Sequence, residues 1–339
     1  MFDNKNILIT GGTGSFGKAF VSRILAEFNP NRVIIYSRDE MKQWEMEHSF
    51  KGPKSDKLRF FIGDVRDKAR LQRALDGVDF VVHAAATKIV PIAEYNPFEC
   101  VKTNINGAMN LIDTAIDQGV EKVVALSTDK ASSPVNLYGA TKLVSDKLFV
   151  AGNSYTGDKS TKFSVVRYGN VMGSRGSIIP YFLSLGPNRK FPITDSRMTR
   201  FMISLDQGID LVLHAFADMM GGEIYVKKIP SMKITDIAKA ISDEQGYDVQ
   251  GYEVVGIRPG EKLHEQMIGV DDAENTFDYR GHYKILPAIN GWNKDPERIK
   301  TGKKVESGFC YSSENNSEWM SADELRSWIN ENRDVIGQF

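Results

Sequence analysis

Residues 6–17 read Asn6-Ile-Leu-Ile-Thr10-Gly11-Gly-Thr13-Gly14-Ser15-Phe16-Gly17. A short apolar run breaks into glycines spaced Gly11-x-x-Gly14-x-x-Gly17, and a helical pattern, Lys18 to Phe28, follows. Glycines there let the chain turn tightly and bring backbone N–H groups against a pyrophosphate at a helix N-terminus. Between a strand and a helix, near the chain start, this spacing predicts a dinucleotide site. Gly11, Thr13, Gly14, Ser15, Phe16 and Gly17 are its first candidate residues.

Outward from this stretch the same alternation repeats. Strands are predicted at Arg32 to Tyr36, Leu58 to Gly63, Phe80 to Ala84, Lys122 to Ser127 and Lys162 to Arg167. Helical patterns lie between them, among them Lys68 to Leu75, Asn104 to Gln118 and Tyr138 to Ala151. Val33-Ile-Ile35 and Phe80-Val-Val82 are continuous apolar runs, as strands buried on both faces require. The fold class is α/β: a Rossmann-like, doubly wound parallel sheet with a smaller C-terminal substrate-binding lobe. We place the cofactor domain at residues 1–168, with a return segment near 200–217 where Leu205 to Ala217 has helical periodicity. Residues 169–339 form mainly the second lobe and the tail. There Gly173, Gly176, Pro180, Gly186, Pro187 and Pro192 break the alternation. Asn293 to Asn316 reads as loop-rich, and Ser321 as a helix cap.

Composition sets limits on partners. Of 339 residues, 26% are charged with a net charge of −1, so no strong field points to nucleic acid. No apolar run is long enough to span a bilayer. Two cysteines, Cys100 and Cys310, make no disulfide framework and suit a cytoplasmic location. The five histidines show no ligand spacing, so no metal site is expected.

The tip of the second strand should meet the adenosine ribose. An acid there favours a free 2′-hydroxyl, whereas Ser37-Arg38 with Lys42 nearby suits a 2′-phosphate and so NADP; Asp39 is the complicating acid. Asp64-Val65, after the third strand, is placed for the adenine amino group. Ala84 and Ala86, after the fourth, leave room for a flat ring. His83 reads as a packed, hydrogen-bonded residue.

Tyr138-x-x-x-Lys142 puts a phenol and an ammonium on one helix face, where the ammonium favours phenolate. Such a phenol can take a proton from a substrate hydroxyl as hydride leaves the same carbon. A second copy, Tyr155 to Lys159, lies in a polar loop with no strand before it and is read as chance. Asp129-Lys130, directly after Thr128 at the fifth strand's end, is the departure from simple hydride transfer. An acid and a base beside the tyrosine suit elimination of water from an oxidised sugar, Lys130 as base if burial and neighbouring cations lower its pKa and Asp129 as acid if its own is raised. A solvent-exposed ion pair is the plain alternative.

The chain closely resembles the inverting UDP-N-acetylglucosamine 4,6-dehydratases of the extended short-chain dehydrogenase/reductase superfamily. The resemblance rests on Thr10-Gly-Gly-Thr-Gly-Ser-Phe-Gly17, Ser37-Arg-Asp-Glu40, Leu126-Ser-Thr-Asp-Lys130, Asn136-Leu-Tyr-Gly-Ala-Thr-Lys142, Arg167-Tyr-Gly-Asn-Val171 and Arg258-Pro-Gly-Glu-Lys262. It implies tightly held NADP, UDP-N-acetylglucosamine as substrate, and the first step of pseudaminic acid synthesis for flagellin and surface glycans. It also implies Lys130 as the C5 base, Asp129 as the acid, Tyr138 as the C4 base, and inversion at C5. Substrate contacts are expected from Lys88, Asn170, Arg258 and Glu261, and more weakly from Arg200. Thr87 stands where an apolar residue is usual. A homo-oligomer is expected. A UDP-sugar 4-epimerase, or a dehydratase acting with further epimerisation as in capsule-precursor synthesis, is the competing reading in this fold; an epimerase needs the tyrosine and the cofactor but not Asp129-Lys130.

Overall fold

Six parallel strands, β1 (Asn6–Thr10), β2 (Arg32–Ser37), β3 (Leu58–Ile62), β4 (Phe80–His83), β5 (Lys122–Thr128) and β6 (Lys162–Tyr168), form the centre of the molecule. The computed structural model describes residues 1–185, 190–245 and 251–337; Gly186 and Pro187 lie outside them. Across the sheet these strands run β3-β2-β1-β4-β5-β6. Ile7 pairs with Val33 on one side and Phe80 on the other. The strand order reverses between β1 and β4, where the loops leaving the two strands part and open a crevice at their carboxyl ends. Helix α1 (Ser15–Glu27) begins at that crevice.

The sheet does not stop at β6. Ile224–Lys227 adds in parallel beside it, and His282–Ile285, Thr276–Asp278 and Lys303–Lys304 follow antiparallel, so ten strands in all draw on both halves of the chain. Helix Leu205–Asp218, opened by a Ser204/Gln207 capping box, lies against α1 with Arg23 3.1 Å from Asp210. Its Phe216 ring meets Phe2 edge-on at 5.4 Å, and Phe2 meets Phe28 and Phe80 the same way at 5.2 and 5.3 Å. Edge-to-face rings are the favoured aromatic arrangement, so Phe2 ties the chain start into the core.

A second core gathers Phe182, Phe191, Met198, Ile237, Ile241, Leu325 and Ile329. Its last helix, Ala322–Glu331, is capped by Ser321 and Glu324. A three-stranded sheet, Ser231–Lys233, Thr199–Ile203 and Asn170–Val171, joins the two cores. In the tail, short segments Pro296–Ile299, Lys303–Lys304 and Tyr311–Ser312 are linked by turns. Among the described residues no helix is long and apolar enough to cross a membrane.

Candidate active site

The crevice is a cleft of about 1010 Å³ whose lining runs along the chain from Gly11 to Arg258. Gly11 has φ +65°, and a Cβ there would sit 2.9 Å from the Ala85 backbone. A Cβ on Gly17 would stand 2.3 Å from the Gly12 carbonyl oxygen. Only glycine allows this close turn of backbone. Gly14 caps α1 without a side chain, and Thr13, Ser15 and Phe16 complete the cradle along the cleft wall. A bare helix start beside a glycine turn fits a pyrophosphate. Thr10 binds the two strand ends together: its hydroxyl lies 2.8 Å from His83 Nδ1 and accepts from the Ala84 and Ala85 N–H groups, both at 3.2 Å. His83 is buried, and burial, then the Lys142 charge, hold its pKa down to about 3.

Ser37, Arg38, Asp39 and Lys42 lie along one end of the cleft. Asp39 has a local task there. It caps helix Glu40–Ser49 by accepting from the Lys42 N–H at 3.1 Å, and it pairs with Lys42 Nζ at 3.2 Å. Ser37 Oγ accepts from Gln43 at 3.0 Å. Arg38 is exposed, 3.8 Å from Asp64. Asp64 accepts from Arg66 Nε and backbone N–H, both at 2.9 Å; burial opposes its ionisation, but Arg66 outweighs it and keeps the carboxyl below its ordinary pKa. Val65, Ala84 and Ala86 line the adjoining wall.

The end of β5 faces this cradle. Thr128 Oγ1 donates to Asp129 Oδ1 at 2.9 Å, and Asp129 Oδ2 is buried without a partner. Burial above all raises the Asp129 pKa, which favours the protonated acid. The helix Leu137–Gly152, capped by Asn136, presents Tyr138 to the same place. Burial pushes the phenol up to about 12, against the lowering effects of Lys130 and Thr128. Lys142 lines the cleft with Tyr138, its ammonium donating to the Leu126 carbonyl at 2.8 Å, and the Lys130 charge also favours the Tyr138 phenolate.

Lys130 itself departs from expectation. Its ion-pair partners are two carboxylates, Asp129 at 3.1 Å and Glu265 at 3.0 Å, which outweigh the opposing Arg200 charge. Burial alone would lower its pKa; these charges reverse that and hold it above the ordinary lysine value. Glu265 was not singled out in the sequence. It follows the Arg258-Pro-Gly-Glu-Lys262 segment, whose Gly260 carbonyl accepts from Asn136 at 2.7 Å and whose Lys262 donates to the Ser132 carbonyl at 2.6 Å. That segment clasps the loop between Lys130 and Tyr138.

Lys88, Asn170 and Arg258 reach the cleft. Asn104, in a π-helical turn Lys102–Asn106, accepts from the Thr87 N–H at 2.8 Å and donates to its carbonyl at 3.0 Å, which fixes the backbone just before Lys88. Arg200 and Glu261 are not among the lining residues. Arg200 is buried, donating to the Thr199 and Leu263 carbonyls and standing 3.8 Å from both Glu261 and Glu265. Its charge serves those carboxylates. Arg175, on the turn before helix Ile178–Leu183, lines the cleft without having been expected there. Tyr155 is exposed and Lys159 donates to the Asp117 carbonyl, so the second Tyr/Lys copy makes no site.

A family model described as polysaccharide biosynthesis protein matches residues 7–287. The chain is 55% identical to an inverting UDP-N-acetylglucosamine 4,6-dehydratase of Campylobacter jejuni, over 97% of this chain and 98% of that protein. It is 40% identical to a UDP-glucose 4-epimerase of Rickettsia akari, over 97% and 96%. Among solved structures, Pen from Bacillus thuringiensis superposes with TM-score 0.89 at 36% identity, covering 98% of this chain and 99% of that one. DesIV, a dTDP-glucose 4,6-dehydratase from Streptomyces venezuelae with NAD bound, shares the fold with TM-score 0.70 at 24% identity over 97% and 98%. With its sheet order, its glycine cradle and these matches along nearly its whole length, the chain belongs to the polysaccharide biosynthesis protein family, on the extended short-chain dehydrogenase/reductase fold.

Proposed function

We propose that the chain is an NADP-dependent UDP-N-acetylglucosamine 4,6-dehydratase that inverts C5. Its product is UDP-2-acetamido-2,6-dideoxy-β-L-arabino-hex-4-ulose, the first intermediate toward pseudaminic acid. The observation that carries this reading is the convergence of Asp129, Lys130 and Tyr138 on the same cleft that the glycine cradle lines. The Campylobacter relative's activity supports it.

The chemistry that a bound nicotinamide supplies is hydride acceptance and donation, with positive charge on its oxidised ring. Tyr138 takes the proton of the C4 hydroxyl as C4 becomes a ketone, and positive charge nearby favours its phenolate. The ketone acidifies the hydrogen on C5, and Lys130 removes it. Asp129, whose pKa burial raises, gives its proton to the C6 hydroxyl, which departs as water. Reduction at C6 and protonation at C5 from the opposite face complete the product; solvent supplies the C5 proton and takes the one that Tyr138 removed from the C4 hydroxyl, so the proton count closes. Lys88 and Arg258 are the cations that hold the diphosphate, and Asn170 lies beside them. Arg38 accepts the 2′-phosphate, since Asp39 is already engaged as a helix cap.

A 4-epimerase is the second reading, because relatives at 40% identity carry that activity. It has no use for a buried acid beside Lys130. The two separate in one assay: purified protein with UDP-N-acetylglucosamine and no added cofactor. A sugar nucleotide lighter by one water supports the dehydratase; a 4-epimer of unchanged mass supports the epimerase and rejects our reading.

A further inference from the structure

Lys130 must be a neutral amine when C5 loses its proton, yet the structure surrounds it with negative charge. Its spare proton needs a destination. Glu265 Oε1 lies 3.0 Å from Lys130 Nζ, and the side chain is 2% exposed. Its other oxygen, Oε2, is buried with no partner. The backbone on either side of this carboxylate is pinned: the Glu265 N–H donates to Ser313 Oγ at 2.9 Å, and the Ser313 N–H donates to the Glu265 carbonyl at 2.8 Å. On the far side, Arg200 Nε stands 3.8 Å from Oε1. The charged and titratable groups around Lys130 are thus Asp129 beside it, Tyr138 on the helix, and Glu265, Arg200 and Lys262 from the second lobe.

We propose that Glu265 is the positioning residue that makes Lys130 a base, by taking one proton from its ammonium and later giving it back. This rests on the dehydratase reading and deepens it. The protons balance within the trio. Glu265 carboxylate, Lys130 ammonium and Asp129 acid become Glu265 acid, Lys130 amine and Asp129 acid. The amine takes the C5 proton, and Asp129 loses its proton to the departing water. Lys130 then passes a proton to Asp129 and receives one from Glu265, and the starting state is restored. One proton enters from C5 and one leaves on water. A simple tether between lobes would need the charge of Glu265 but not its proton.

The test compares wild type with Glu265→Gln in deuterated water. Two events are followed: reduced-nicotinamide absorbance on mixing with UDP-N-acetylglucosamine, which reports C4 oxidation, and deuterium at C5 of the product. For the variant, C4 oxidation should stay within about threefold of wild type, while C5 labelling and product fall about 100-fold at neutral pH. The residual rate should climb about tenfold per pH unit, as solvent replaces Glu265 in removing the lysine proton. Labelling within about threefold of wild type with an unchanged pH profile overturns the proposal. So does an equal loss of both events, which marks a structural tether. If Glu265→Gln does not fold, Glu265→Asp keeps the charge but withdraws it by one methylene. Slower C5 labelling with C4 oxidation kept supports the relay, and no change in either overturns it. Wild type that yields no dehydrated sugar rejects the dehydratase reading itself, and the relay with it.

Discussion

Gly139, the residue after the cleft tyrosine, packs directly on the Lys130 carbonyl: a Cβ at Gly139 would lie 2.2 Å from that oxygen. The Tyr138 helix and the Asp129–Ala131 turn therefore approach more closely than any side chain allows. This is how a phenol on one element and an acid and base on another come to share a few ångströms of cleft wall.

Gly139→Ala tests that approach. In an unobstructed helix the change would stabilise by about 0.5–1 kcal/mol. Here we expect a lower melting temperature and a turnover rate reduced about 100-fold, because displacing Tyr138 by about 1 Å spoils its geometry. Thermal melts and steady-state rates check both. A stabilised variant with normal turnover would show that the close packing has no functional part.

Arg38 bears on cofactor choice. With Asp39 occupied in capping and in its pair with Lys42, Arg38 is the cation available to a 2′-phosphate. Arg38→Asp should weaken NADP binding at least tenfold, about 1.4 kcal/mol, while NAD binding is kept or improved. Titration with each cofactor reads this directly. Equal effects on both would remove Arg38 from the choice.

His83 predicts a pH dependence of stability. Its pKa is held to about 3 in the folded chain, against an ordinary value of about 6.5. Between those values the unfolded chain binds a proton that the folded chain refuses. The contribution is therefore whole above about pH 6.5 and is lost as pH falls toward about 3. By about pH 5 the loss is about 2 kcal/mol. Urea unfolding at about pH 7.5 and about pH 5 should show wild type losing about 2 kcal/mol more than His83→Asn, which keeps a partner for Thr10. Equal losses would contradict the assignment.

Much of this arrangement is legible in the sequence because it is local. The glycine spacing, the continuous apolar strands and the Thr128-Asp129-Lys130 strand end each lie within a few consecutive residues, and burial of both sheet faces leaves a plain mark on composition. The role of Asp39 was also legible, since Asp before a helical run is a capping signal. Its side chain serves as that cap while Asp39 also lines the cleft beside Arg38. Glu265 was not legible. Nothing near it is periodic, and its partner Lys130 lies in a distant part of the chain. Its meaning depends on how Arg258-Pro-Gly-Glu-Lys262 docks on Asn136 and Ser132. Arg200 is another such case: strand Thr199–Ile203 is buried throughout and sets its guanidinium 3.8 Å from Glu261 and Glu265, two carboxylates distant in the chain.

The central claim is that Lys130 removes the C5 proton. Lys130→Met keeps much of the apolar stem and removes the amine. In deuterated water with UDP-N-acetylglucosamine, the variant should still oxidise C4, seen as reduced nicotinamide, while C5 labelling and dehydrated product fall at least about 100-fold. If the variant labelled C5 at close to the wild-type rate, Lys130 would be an ion-pair partner of Asp129 and Glu265 only, and the base would have to be Tyr138.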